Sequence, residues 1–250
     1  MRCLMVLLLV LCSTSSAWAV EATVRDGDTL QLAGVTYRLA GIDAPEFDQT
    51  CIDDQAEPWA CGVEARDQLV KLIDKRGVHC QDLGPDKTYA KWHVGICSVE
   101  GESTSLNQLL VRQGFALNST ASGKARFAED EAGAKSDHKG VWKGCFVAPQ
   151  DFRLSKKSAA LLGAACRDDK DREIRASLFP DQPTMPPSCS VKARLAVRAH
   201  VTGHVGVYHM QGCRTYGPVT KLDRWFCSEE DAQAAGYRRA YNCRANVRKK

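Results

Sequence analysis

The chain lacks a long hydrophobic run. Its longest, Leu4 to Leu11, is too short to span a bilayer, and no other segment is long and apolar enough to do so. It lacks internal repeats and low-complexity segments, which excludes a repeat architecture. It also lacks a close Cys-x-x-Cys pair, the spacing most telling for structural zinc. No cluster of residues suits glycosyl chemistry. Disorder is excluded by the 44% apolar content of the 250 residues, enough for a real core.

The run from Leu4 to Leu11 has a different use. MRCLMVLLLVLCSTSSAWA places one basic residue, Arg2, before it and Ala17-Trp18-Ala19 after it. That layout predicts a signal peptide cleaved after Ala19 and a periplasmic or secreted protein. Bulky Leu11 before Cys12 disfavours a lipoprotein site.

Export changes how the cysteines read. Ten remain beyond that segment: Cys51, Cys61, Cys80, Cys97, Cys145, Cys166, Cys189, Cys213, Cys227 and Cys243. An even number in an exported chain favours disulfides over thiols. Cys80 and Cys97 lie at mirror positions about a turn near Thr88, as a bridge across two strands requires. Cys51 and Cys61 bracket a loop. Spacing alone leaves the connectivity open. His209, Cys213, Cys227 and Cys243 also form a conceivable zinc set, but an oxidising compartment favours disulfides over zinc.

Charge is uneven. Residues 189–250 hold twelve Lys/Arg against four Asp/Glu, a net of +8, while residues 20–188 carry −5. A basic end suits an anionic partner, nucleic acid or acidic polysaccharide, and equally suits a solvated surface.

Periodicity supplies the elements. Alternation from Val24 to Ile42 predicts a hairpin turning at Gly34. A helix is predicted over Val63–Asp74, then strands near Val78–Leu83 and Trp92–Val99. A second helix, capped by Thr104 or Ser105, ends at Gly114, and a third runs over Lys124–Lys135. Strands followed by helices give an α+β domain with a small barrel over residues 20–145. Residues 146–188 read as a helical extension and a proline-rich linker. Residues 189–250 form a small α/β unit whose helix starts with a capping box at Ser228-Glu229-Glu230-Asp231. So small a unit needs staples, and its four cysteines suffice for two.

RDGDTLQLAGVTYRLAGIDAPE carries the chemistry. Pairing through Gly34 sets Asp28 beside Asp43, and two such carboxylates repel unless a proton or cation lies between them. Their hard oxygens suit Ca²⁺ or Mg²⁺, and so loop-rich a site favours Ca²⁺. Glu46 reaches the same space to hold or deprotonate a water. Arg38 offers a planar fork for phosphate. Arg38 and Asp43 have opposite parity on a straight strand, so a bend is needed, and Gly41 is the place for it. The same residues also make good turns and caps.

From Val24 to Trp142 the sequence resembles the staphylococcal nuclease-like, or thermonuclease, family. The carrying motifs are VRDGDTLQL, YRLAGIDAPE, CGVEAR, SLNQLLVRQGFA and GVW. The resemblance implies a five-stranded OB-fold barrel with packed helices and a monomeric Ca²⁺-dependent endonuclease acting on DNA and RNA. Asp28 and Asp43 look like its metal carboxylates, Glu46 like the residue on the attacking water, and Arg38 like the first phosphate arginine. Tyr89 and Lys87 fall on the substrate-binding loop. Where the family places a second arginine, this chain has Lys91, which keeps the charge but loses the fork. That departure implies weakened hydrolysis, or a fold that binds nucleic acid or an anionic envelope polysaccharide without cleaving it. DFRLSKKSAALLGAAC and the tail motifs around Tyr208-His209 and Arg224-Trp225-Phe226-Cys227 resemble exported rhizobial-type members.

Overall fold

The computed structural model describes residues 21–120, 125–196 and 203–243. The expected signal peptide and the basic end from Arg244 onward lie outside the described residues. Within them, no helix is long and apolar enough to cross a membrane.

The predicted hairpin is β1 (Thr23–Asp26), β2 (Thr29–Leu32) and β3 (Val35–Leu39). β2 and β3 pair antiparallel through a two-residue turn at Ala33-Gly34, with Thr29 opposite Arg38 and Leu32 opposite Val35. The sheet continues through β4 (Val78–Pro85) and β5 (His93–Val99) in the order β1-β2-β3-β5-β4. β5 runs parallel to β3 and antiparallel to β4.

The barrel expected from the resemblance is not closed. No ladder joins β1 to β4; two further two-residue ladders pair Ile42–Asp43 with Leu117–Asn118 and Cys51–Ile52 with Pro58–Trp59. β1 is only four residues long, slips register between Val24 and Asp26, and packs against a helix instead. The fold is α+β with a mixed open sheet.

That helix is α1 (Cys61–Ile73), which buries Ala65, Leu69 and Ile73. α2 (Leu106–Arg112) starts at Ser105, whose hydroxyl accepts from the Gln108 amide as a cap should. α3 (Ala128–Ser136) covers the end of α2. Leu30, Leu39, Leu69, Val99, Leu106 and Leu110 are central to their shared core.

The extension departs from expectation. Only α4 (Pro149–Arg153) and α5 (Asp171–Leu178) are α-helical. Between them Leu161–Leu162 pairs antiparallel with Phe146–Val147, and Cys145 bonds Cys166. A continuous helix has no place in a segment that doubles back onto its own start. α4 and α5 bury Phe152, Ile174 and Leu178 against Ile52 and Val147.

The C-terminal sheet has β6 (Val191–Leu195), β7 (Gly206–His209), β8 (Arg224–Phe226) and β9 (Tyr237–Arg239) in the order β8-β6-β7-β9. α6 (Glu229–Ala234) begins at Ser228, which accepts from the Asp231 amide. The sheet has its own core of Val191, Ala193, Tyr208, Phe226 and Tyr237.

All ten cysteines of the described residues pair: 51–61, 80–97, 145–166, 189–227 and 213–243. Cys80 and Cys97 are directly opposite in the β4–β5 ladder. The cysteines of the alternative zinc set are thereby spent, and His209 bonds Thr215. Five disulfides belong to an oxidising environment, extracellular or periplasmic.

One buried side chain joins the hairpin to the helices. Asn107, fully buried, accepts from the Cys97 amide and donates to the carbonyls of Ala40 and Gly95. Asn107→Ala takes this partner from the Cys97 amide and the Ala40 carbonyl, while the Gly95 carbonyl still accepts from the Ala40 amide. It should cost about 3 kcal/mol in denaturant unfolding, and a loss well under about 1 kcal/mol would show the joint to be dispensable.

Candidate active site

The hairpin delivers its acids as the sequence predicts. Asp28 follows the β1–β2 turn, 8% exposed, with its carboxylate accepting from the Thr29 hydroxyl and, at 3.3 Å, from the Ala44 amide. That second bond ties the hairpin's opening to the loop after β3. Gly41 has φ +75°, a left-handed conformation that turns the chain between Arg38 and Asp43. The loop is seated by α1: a Cβ on Gly62 would lie 1.7 Å from the Glu46 carbonyl, so only glycine allows the approach. Gln49 fixes it further, accepting from the Glu46 amide and donating to the Val147 carbonyl.

Asp26, Asp28, Arg38, Asp43 and Glu46 all line one cavity of about 400 Å³. Crowding of carboxylates is visible in their acidities. Burial lifts Asp43 to about 6; Arg153 pulls it down, while Asp28 and Glu46 push it up. Asp26 is raised well above its ordinary value by burial and by Glu46 and Asp28. Arg38 reaches Asp86 at 3.4 Å and lies 5.3 Å over the Trp92 ring. Lys87 and Lys91 are exposed, and neither they nor Tyr89 lines the cavity. The Lys91 ammonium lies 5.8 Å from the Tyr89 ring, and its charge acts on Glu229 and Glu230.

Two arginines from outside the hairpin neutralise the acids. Arg153, at the end of α4, places Nη1 2.8 Å from Asp43 and 2.5 Å from Glu46. Arg224, on β8 and 1% exposed, donates from Nη2 to the other Glu46 oxygen at 3.0 Å. Its Nε and Nη2 also grip Asp48, which accepts from the Trp225 amide as well. The Arg224 guanidinium lies about 5 Å from the rings of Phe152 and Phe226. Burial acts to raise Glu46, but Arg153 and Arg224 outweigh it and hold it below its usual range. Arg224 is itself held firmly charged, its carboxylate partners overcoming burial.

The donor set fits a hard cation in chemistry: carboxylates that need a positive charge between them. Among the described residues, no three such groups converge as a preformed cage. The positive charge at Asp43 and Glu46 is a guanidinium, so a cation entering there would have to displace or share with Arg153.

Sequence reasoning missed Arg153, Asp48, Arg224 and Arg25. Arg25, Arg153 and Arg224 fall within VRDGDTLQL, DFRLSKKSAALLGAAC and Arg224-Trp225-Phe226-Cys227, but none of these motifs names a partner for them. The one signal for the Asp48–Arg224 pair is the opposition between a net −5 body and a +8 end.

Removing Arg224 leaves Asp48 buried and unpaired. Arg224→Ala should lower unfolding stability by about 3–5 kcal/mol, and Arg224→Met with Asp48→Leu should recover most of it. Urea unfolding followed by tryptophan fluorescence measures both. Equal losses in the single and double variants would contradict the pairing.

Residues 36–144 match the family described as staphylococcal nuclease homologue. Arg38, Asp43 and Glu46 fall inside the match; Asp28 precedes it, and Arg153 and Arg224 follow it. A relative from Rhizobium meliloti (strain 1021), "Succinoglycan biosynthesis protein ExoI", is 32% identical over 124 residues, 49% of this chain. The chain spans 63% of that relative's length. The likeness to the staphylococcal nuclease homologue family is thus shown for residues 36–144, the segment that holds Arg38, Asp43 and Glu46.

Proposed function

We propose that the protein is an exported, metal-dependent nuclease that hydrolyses phosphodiester bonds of DNA or RNA. The observation that carries this reading is the meeting of Asp28, Arg38, Asp43 and Glu46 on one cavity across a strand parity that would otherwise separate them.

Each residue has a task there. Arg38 presents a guanidinium fork to the phosphate oxygens and offsets the charge that grows on them in the transition state. Trp92 and Asp86 fix its direction. Ca²⁺ held by Asp28 and Asp43 supplies further charge neutralisation when bound. Glu46 takes the proton of the attacking water, whose oxygen bonds to phosphorus while one ester P–O bond breaks. Both Glu46 oxygens are engaged by arginines, so at least one of those pairs must open before Glu46 can act as a base.

That same engagement favours a second reading: a nuclease fold that binds nucleic acid or an anionic envelope polysaccharide without cleaving it. It predicts salt-sensitive binding that is indifferent to calcium.

Digestion of single-stranded and plasmid DNA and of RNA separates the two. With Ca²⁺ the purified chain should cleave; Asp43→Ala should be inactive, and Arg38→Ala should lose roughly a hundredfold to a thousandfold in rate. Cleavage that is equal in chelator or in Asp43→Ala would sink the nuclease reading.

A further inference from the structure

The C-terminal sheet and α6 lie against the candidate site, and the contacts between the two parts have a pattern. Arg224 enters the acidic half of the site, where Glu46 and Asp48 hold it. α6 covers the basic and aromatic half. Glu230 accepts from Arg25 at 2.6 Å and from the Trp92 indole at 3.2 Å. Asp231 pairs with Arg25 at 2.9 Å, and Ser228 accepts from the same guanidinium. Gln233 accepts from the Tyr89 hydroxyl. Lys91 acts on Glu229 and Glu230 through its charge. Trp92 is flanked by Arg25 at 5.4 Å and Arg38 at 5.3 Å. So α6 lays carboxylates along a row of cations and aromatic rings, while β8 sets a cation among carboxylates.

We propose that α6 and Arg224 are a built-in mimic of a nucleic-acid strand and its cation, forming a cap that a strand with Ca²⁺ must displace. This rests on the nuclease reading and adds its regulation. The surface beneath α6, Arg25 with Tyr89, Lys91 and Trp92, is then the track of the strand. Carboxylates at phosphate-like positions satisfy the same guanidinium and indole donors that a backbone would use. A strand therefore competes directly with α6 for Arg25 and Trp92.

The joint is built to come apart. No disulfide links residues 21–178 to residues 189–243; each bridge closes within one part. Among the described residues no strand ladder crosses either. Residues 179–190, with prolines at 180, 183, 186 and 187, carry no helix or strand and can act as a tether. Each side keeps its own buried cluster when the two separate. What holds the cap is mainly ion pairs and hydrogen bonds: salt and a competing polyanion weaken the partly exposed Arg25–Glu230 and Arg25–Asp231 pairs, while the buried Arg224 cluster is screened far less.

The test uses the full chain and a single-stranded phosphorothioate oligonucleotide that resists cleavage. Hydrogen exchange in residues 224–234 should quicken when the oligonucleotide and Ca²⁺ are added. Unchanged or slower exchange in a chain that binds the strand one to one would overturn the cap and make the C-terminal sheet a permanent wall. Glu230→Lys puts a cation against Arg25. It should speed exchange in 224–234 without ligand and tighten oligonucleotide binding about tenfold, because a larger fraction is open. Glu173→Lys, an exposed change of equal charge on α5, is the control; an equal gain there would also overturn the proposal. If none of the three chains binds the strand, the nuclease reading fails and the mimicry fails with it.

Discussion

A guanidinium buried among carboxylates organises this molecule. Arg224 is almost wholly removed from water, a state that costs several kcal/mol unless opposite charges and hydrogen bonds surround it. Asp48 and Glu46 supply them, with two aromatic rings beside the guanidinium. The arrangement ties the C-terminal sheet to the loop that carries the candidate base. It also sets the state of that base, since an acid gripped by two arginines is a poor acceptor of a proton from water. The same pairs thus hold the joint and occupy the Glu46 carboxylate.

Arg153 extends this logic. It stands on Asp43 and Glu46 from a short helix anchored by Phe152, in an extension folded back by the Cys145–Cys166 bridge. The acids crowd together because the hairpin and Gly41 bring them together, and the crowding calls for a cation. In this chain, segments after the nuclease homologue domain provide one. Lys91, which stands where the family's second arginine is expected, does not line the cavity; its ammonium lies 5.8 Å from the Tyr89 ring.

Much of the hairpin half was legible in the sequence. Alternation, a turn at Gly34 and the parity conflict between Arg38 and Asp43 are local properties, and each has a local structural answer in β2, β3 and the left-handed Gly41. Helices α1 and α2 announced themselves by apolar spacing and a serine cap. The closure of the barrel was not legible, because it depends on whether β1 is long enough to pair on both edges. The extension misled because its composition is helical while a disulfide and a backward pairing decide its path. Arg153, Asp48 and Arg224 were invisible for a further reason. An ion pair between residues 176 apart, Asp48 and Arg224, leaves no periodicity, and a motif around one partner does not name the other; only a charge imbalance between the ends of the chain remains.

Arginines from outside residues 36–144 stand on the acids where a metal ion would balance charge. Calcium titration calorimetry on the full chain and on Arg153→Gln tests this competition most directly. Competition predicts that the variant binds Ca²⁺ more tightly than the unaltered chain. Equal or weaker binding by the variant would contradict it.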